Sequence, residues 1–197
     1  MLRHRTKIRR KLLTQTRLQW YIYGFVFLQE YDAPKVAIMQ LYILRHGIAF
    51  ERNEWSGSDE ERPLTVEGMQ KTREVMQALR AKKKLKVDAI WSSPLVRALQ
   101  TATIAGEVLE QSVTTVEVLA SGTSLKRVLG FVHSQKELPK SLLLVGHEPD
   151  CGLLTAELVG DPGGDYAFKK AGLAALEGAF KPAGMKLQWQ IAPKDVL

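Results

Sequence analysis

The chain has 197 residues, 45% hydrophobic and 25% charged, which fits one globular domain able to bury a core without staples. Its single cysteine, Cys151, excludes a disulfide within the chain and fits a reducing, cytoplasmic setting. The net charge of +7 is uneven: residues 1–38 hold eight Lys/Arg against Glu30 and Asp32, and residues 39–197 carry only +1, so the part expected to fold gives no argument for nucleic acid as a partner.

Residues 1–38 differ from the rest. A basic start leads into the apolar run Trp20-Tyr21-Ile22-Tyr23-Gly24-Phe25-Val26-Phe27-Leu28, well short of the roughly 20 residues a membrane helix needs. It is nearer the length of a signal-peptide apolar region, but Gln29-Glu30-Tyr31-Asp32 follows where a small-x-small cleavage site would stand. Three readings stay open: a disordered tail or start-site artefact with translation beginning at Met39, a membrane-surface or interaction arm, and a targeting segment. The folded domain is expected to occupy residues 39–197.

Gln40 to Leu44 reads as a buried strand. Thr65 to Ala81 has helical spacing, with Met69, Val75, Met76 and Leu79 available for a buried face and Lys82-Lys83-Lys84 favourably placed for the helix dipole. Val87 to Trp91 is a second strand. Ser93-Pro94 then supplies an N-cap and a first-turn proline for a helix to about Glu110. Thr114 to Val118 is strand-like, Ser124 to Gln135 helical, and Ser141 to Val145 another apolar strand. Pro149 opens a helix to Leu158, Gly160 to Asp165 is a loop, and Ala171 to Leu176 and Met185 to Ile191 close the domain as strands. Strands alternating with helices of this length predict a three-layer αβα sandwich with a mostly parallel sheet.

Three motifs fall at one structural position. Arg45-His46-Gly47 follows the first strand, Ser92-Ser93-Pro94 with Arg97 the second, and Gly146-His147-Glu148-Pro149 the strand at 141–145. Ligands of open α/β sheets bind outside the carboxyl ends of the strands, so two histidines and two arginines should converge on one crevice. These residue types suit phosphoryl transfer. A neutral imidazole can attack phosphorus, neighbouring guanidinium groups keep it unprotonated, and forked donors from Arg45 and Arg97 can hold the phosphoryl oxygens. His147 would add a donor at the start of a helix whose dipole favours an anion. No metal or other cofactor is expected, because the histidines lack ligand spacing.

The series Leu44-Arg45-His46-Gly47, Arg62-Pro63-Leu64-Thr65 with Gly68, Ser93-Pro94 with Arg97-Ala98 and Gln100-Thr101, and Gly146-His147 with Pro149 resembles the histidine phosphatase superfamily. Length and order are similar to its SixA-type phosphohistidine phosphatases. The resemblance covers residues 39 to about 191. It implies a doubly wound fold of the phosphoglycerate mutase kind, His46 as the phosphorylated nucleophile, and Arg45, Arg97 and His147 as the phosphate pocket. Arg62 either reaches the substrate or forms a structural ion pair.

The proton donor departs from the pattern. Many members carry an acid in the segment after the third strand, where this chain has Val118-Leu119-Ala120-Ser121-Gly122. SixA-type members often have one soon after the nucleophile, where Ile48-Ala49 stands here, with Glu51 nearby. Glu148 occupies the place used by the acid-phosphatase branch, as a general acid or simply as a carboxylate favoured at a helix N-terminus. A positioned acid is worth roughly 10²–10⁴-fold when an alkoxide leaves, and less is needed for an imidazole, which favours P–N over P–O cleavage.

Other chemistries fit poorly. Cys151 has Glu157, not arginine, six residues on and reads as a small buried residue, no Gly-x-x-x-x-Gly-Lys loop is present, and His133 reads as structural. Trp91 and Trp189 read as packing residues, Trp55 as packing or lining the site. The expected substrate is a phosphohistidine-bearing protein, such as a histidine kinase or phosphotransfer domain, since the chain leaves little room for a lid over a small molecule. The alternatives are a phosphomonoesterase acting on a small phosphorylated metabolite and a non-catalytic phosphate-binding protein of the same fold.

Overall fold

The computed structural model describes residues 38–82 and 85–197. The N-terminal basic segment with its apolar run, and Lys83 and Lys84, lie outside the described residues. Six strands form one sheet: β1 (Ile38–Arg45), β2 (Ala89–Ser92), β3 (Val113–Thr115), β4 (Ser141–Gly146), β5 (Leu173–Ala179) and β6 (Met185–Ile191). Their order is β3-β2-β4-β1-β5-β6; β1 to β4 run parallel, and β5 is antiparallel to both β1 and β6.

Alternation along β1 divides the core between the two faces of the sheet, as the period of a strand requires. Met39, Leu41 and Ile43 join one cluster with Val128 and Val132 of α3 (Leu125–Ser134) and Cys151 and Leu158 of α4 (Asp150–Val159). Tyr42 and Leu44 join the other, with Val75, Met76 and Leu79 of α1 (Val66–Ala81) and Ala98, Ala102 and Ala105 of α2 (Val96–Leu109). The result is the three-layer αβα sandwich, with β1 and β4 at its centre and their carboxyl ends side by side. No helix among the described residues is long and apolar enough to cross a membrane.

Several boundaries depart from the sequence reading for identifiable reasons. α2 starts at Val96, not Pro94: the Ser93 hydroxyl is bonded to His147, and Leu95 takes the N-cap without a side-chain cap bond. The Val96 amide donates instead to the Glu60 carbonyl. Pro149 is the N-cap of α4 and Asp150 its first residue. The third strand ends at Thr115, and Glu117–Leu119 forms a 3-10 turn. β5 begins at Leu173 because Ala171 has a left-handed backbone (φ 59°) that a strand cannot continue.

Met69 is 37% exposed, not buried. The buried face of α1 instead runs Gly68, Thr72, Val75, Met76 and Leu79. Its N-terminal end presses on the loop after β1: a Cβ on Gly68 would stand 1.9 Å from the Ile48 carbonyl oxygen, and one on Gly47 would stand 2.5 Å from Thr72 Oγ1. Thr65 caps the helix by accepting from the Gly68 amide at 3.0 Å, while its own amide donates to Ile48 O at 2.9 Å. Alanine ordinarily gains about 1 kcal/mol over glycine in a helix. Gly68→Ala is nevertheless expected to destabilise the fold by roughly 1–3 kcal/mol through overpacking, read as a lower urea midpoint at unchanged slope.

Candidate active site

His46 follows β1, and its amide donates to the Gly146 carbonyl at 3.0 Å across the β1–β4 junction. His147 follows β4. Their rings lie 5.2 Å apart between centroids, tilted by 53°, and both side chains are buried. His46 and His147 thus face each other at the carboxyl ends of the central strands, and the charges of Arg45 and Arg97 act on both rings.

The tautomer of His46 is set locally. Nδ1–H donates to the carbonyl of Gly47 at 2.8 Å, which leaves the lone pair of the neutral ring on Nε2. Gly47 in turn is fixed by its amide donating to Thr101 Oγ1 at 3.0 Å, and Thr101 donates to the Arg97 carbonyl. Burial lowers the pKa of His46 to about 3; the Gly47 carbonyl works the other way, and the charges of His147, Arg97 and Arg45 add to the lowering. Burial likewise lowers His147 to about 4, helped by Arg97 and opposed by Asp59. Both rings are therefore neutral at physiological pH.

His147 Nε2 lies 2.7 Å from Ser93 Oγ. That oxygen already accepts from the Leu95 amide at 3.3 Å, so its proton can donate to Nε2, placing the ring proton of His147 on Nδ1. Nδ1, Arg45 Nε and Arg97 Nε are all buried without a hydrogen-bond partner among the described residues. Three donors so placed suit an anion, since a buried unpaired donor costs about 1–3 kcal/mol.

The arginines are held by distant groups. Arg97, 4% exposed, donates Nη1 to the Asp59 carbonyl at 2.6 Å and Nη2 to the Asp59 carboxylate at 3.0 Å. Arg62 donates Nε to the same carboxylate at 2.9 Å and Nη1 to the Phe50 carbonyl at 2.6 Å, which is the ion pair of the two readings. Burial raises the Asp59 carboxyl, but the bonds and charges of Arg62 and Arg97 outweigh it and hold it below the usual carboxylate range. The sequence reading passed over Asp59. Its spacing of three before Arg62 is a signal for an ion pair, obscured by the adjacent Glu60 and Glu61.

Arg45 donates Nη1 to the Phe168 carbonyl at 2.6 Å. Glu148 accepts from the Phe168 amide at 2.9 Å, and burial raises its carboxyl while that bond and the charge of Arg45 oppose. Glu51, the other acid considered, pairs with Lys170 at 2.9 Å; the hydrogen bond and charge of Lys170 lower its pKa, which favours the ionised form over a proton donor. Cys151 is buried in the core, and burial raises its thiol, so it is no nucleophile. His133 is exposed at the end of α3. Trp55 stacks loosely with Phe50, their centroids 6.2 Å apart.

Comparison with known proteins fits this geometry. The sequence profile of the histidine phosphatase superfamily (branch 1) matches residues 41–121. Phosphohistidine phosphatase SixA of Escherichia coli (strain K12) is 34% identical over 125 residues, covering 61% of this chain and 74% of that protein. An uncharacterised protein of Picosynechococcus sp. (strain ATCC 27264 / PCC 7002 / PR-6) is 38% identical over 141 residues, covering 70% and 84%. Among solved structures, the protein histidine phosphatase SixA complexed with tungstate superposes with a TM-score of 0.71 at 28% identity, covering 81% of this chain and all of that one. The chain belongs to the histidine phosphatase superfamily and resembles its SixA-type members. It is a phosphatase with the fold those proteins share.

Two outcomes are expected from the site. The unfolded chain protonates its histidines near pH 6.5, whereas the native rings resist protonation down to about 3 and about 4. Stability is therefore highest above pH 6.5 and falls as pH drops below it, by at most about 1.4 kcal/mol per pH unit for each ring, levelling off below the native values. His147→Gln should flatten that slope in urea titrations run from pH 7 to 4. Asp59→Ala should lower kcat/KM on a simple phosphate ester by on the order of 10²-fold, since it frees Arg97 and leaves a buried cation unpaired, with a smaller loss for Asp59→Asn.

Proposed function

We propose that this phosphatase is metal-independent, works through a phosphohistidine formed on His46, and acts on phosphohistidine carried by a signalling or phosphotransfer protein. The observation that carries the reading is the state of His46: neutral, with Nδ1–H bonded to Gly47 and the lone pair on Nε2, beside Arg45, Arg97 and His147. Nε2 attacks phosphorus in line, the phosphoryl group passes to Nε2 as the P–N bond breaks, and the substrate ring, already protonated on its other nitrogen, leaves as neutral imidazole. The guanidinium groups of Arg45 and Arg97 and the Nδ1–H of His147 hold the three phosphoryl oxygens. The charge a metal would otherwise neutralise is thus met by side chains. Water then attacks the phosphohistidine and releases inorganic phosphate, restoring His46.

The preference for phosphohistidine is supported by the two acids nearest the motifs. Glu51 is paired with Lys170 and Glu148 with the Phe168 amide, and neither is arranged as a free proton donor. An imidazole leaving group tolerates that arrangement better than an alkoxide does. The likeness to SixA proteins supports the same substrate class.

The test is release of phosphate from a phosphohistidine-bearing phosphotransfer domain and from a simple alkyl phosphate, with chelator present throughout. Fast release from the phosphohistidine with only slow release from the ester, both lost by at least about 10³-fold in His46→Ala, is the expected result. Comparable turnover of the ester would move the assignment to a metabolite phosphomonoesterase. Activity that stops with chelator and returns with magnesium would remove metal independence. Phosphate binding without turnover of either substrate would leave only a phosphate-binding protein.

A further inference from the structure

We propose that Glu148 is a positioning residue for Arg45, acting through the backbone of Phe168, and not the general acid that its place after His147 suggests. The inference rests on the reading of Arg45 as a phosphoryl ligand. It goes beyond that reading by assigning what holds Arg45 in place.

The segment between α4 and β5 carries the argument. Residues 165–169 have no regular secondary structure, so their place depends on individual bonds. Phe168 is fixed at three points. Its ring is 2% exposed, in the core cluster on the α3–α4 side of the sheet. Its amide donates to Glu148 Oε1 at 2.9 Å, and its carbonyl accepts from Arg45 Nη1 at 2.6 Å. On either side, the Gln190 side-chain amide donates to the carbonyls of Tyr166 and Ala167, and the Ala171 amide donates to the His46 carbonyl at 3.0 Å. Each flanking bond belongs to another residue. Among the described residues, the one polar restraint on Phe168 itself opposite the Arg45 bond is Glu148.

Glu148 is suited to that task. It stands just before α4, where the helix dipole favours a carboxylate, and its Oε1 accepts from the Phe168 amide. Burial raises its pKa, which fits either role, whereas the bond from the Phe168 amide fits the positioning role. A general acid must keep its proton and turn it toward a leaving group. Here the Phe168 amide engages Oε1 and turns the carboxyl toward the 165–169 segment. Without the acceptor, the Phe168 amide is left unpaired and its carbonyl loses the restraint that sets Arg45 against the phosphoryl group.

The experiment uses the full chain with Glu148→Gln, Glu148→Ala, Arg45→Ala and the Glu148→Ala/Arg45→Ala double variant, assayed on p-nitrophenyl phosphate and on a simple alkyl phosphate. Inorganic phosphate serves as the competing ligand. Glutamine keeps an acceptor for the Phe168 amide but cannot donate a carboxylic proton. Glu148→Ala is expected to lower kcat/KM on the order of tenfold, by the same factor on both esters, and to weaken phosphate inhibition in proportion. Glu148→Gln should recover most of the loss. In the Arg45→Ala background, Glu148→Ala should cost less than about threefold more, because the coupled partner is already gone. Should Glu148→Ala not fold by circular dichroism, Glu148→Met, of similar volume and without an acceptor, replaces it.

Two results would overturn the proposal. One is glutamine losing as much as alanine, with the loss greater on the alkyl ester than on the nitrophenyl ester, the pattern of a missing proton donor. The other is additive losses of Glu148→Ala and Arg45→Ala. If Arg45→Ala alone changes neither turnover nor phosphate inhibition, the reading of Arg45 as a phosphoryl ligand is what fails, separately from the role of Glu148.

Discussion

The site depends on one electrostatic constraint, which is that Arg45, Arg97, His46 and His147 must share a buried corner without dispersing. Guanidinium groups repel one another and resist burial, and nothing in a parallel sheet offsets this by itself. The protein meets the constraint with oxygen acceptors placed behind each arginine, the carboxylate and carbonyl of Asp59 for Arg97 and the carbonyl of Phe168 for Arg45. Uncharged histidines complete the arrangement. Two imidazolium rings 5.2 Å apart would add a repulsion that the neutral rings avoid.

The fold supplies the meeting place. Parallel strands bring the ends of β1, β4 and β2 into line, and each is followed at once by a site residue or its support: His46, His147, and Ser93. The glycines at 47 and 68 are needed because the loop after β1 lies against the first turn of α1 with no space for a Cβ. That contact ties the segment beginning Arg62-Pro63-Leu64-Thr65 to the loop after β1. Leu64 is further held by its amide donating to the Gln100 side chain at 2.7 Å. The sequence motifs therefore describe a set of mutual hydrogen bonds between loops as much as a list of reactive groups.

What could be read in the sequence follows the range of the interaction responsible. Thr65 as cap of α1 and the apolar run of β4 are legible because their causes lie within a few residues. The convergence of Arg45, His46, Arg97 and His147 is legible because strand ends in such sheets gather. Asp59 was missed because its partner Arg97 is 38 positions away, and the Arg45–Phe168 bond spans 123. Ser93 misled for a related reason. Its hydroxyl has the chemistry of an N-cap, yet it pairs with Nε2 of His147, 54 residues on. Met69 shows a finer limit. Helical spacing admits it to the buried face, and only the approach of Ile48 to Gly68 turns that face one position away.

The two halves of the site are fastened at very different range. His46 is oriented by the carbonyl of its immediate neighbour, so its Nε2 keeps its alignment relative to its own loop. The arginines borrow theirs from remote stretches of chain, one from the exposed segment around Asp59 and the other from the irregular segment around Phe168. A disturbance of either remote segment therefore reaches an arginine while leaving the His46–Gly47 bond untouched.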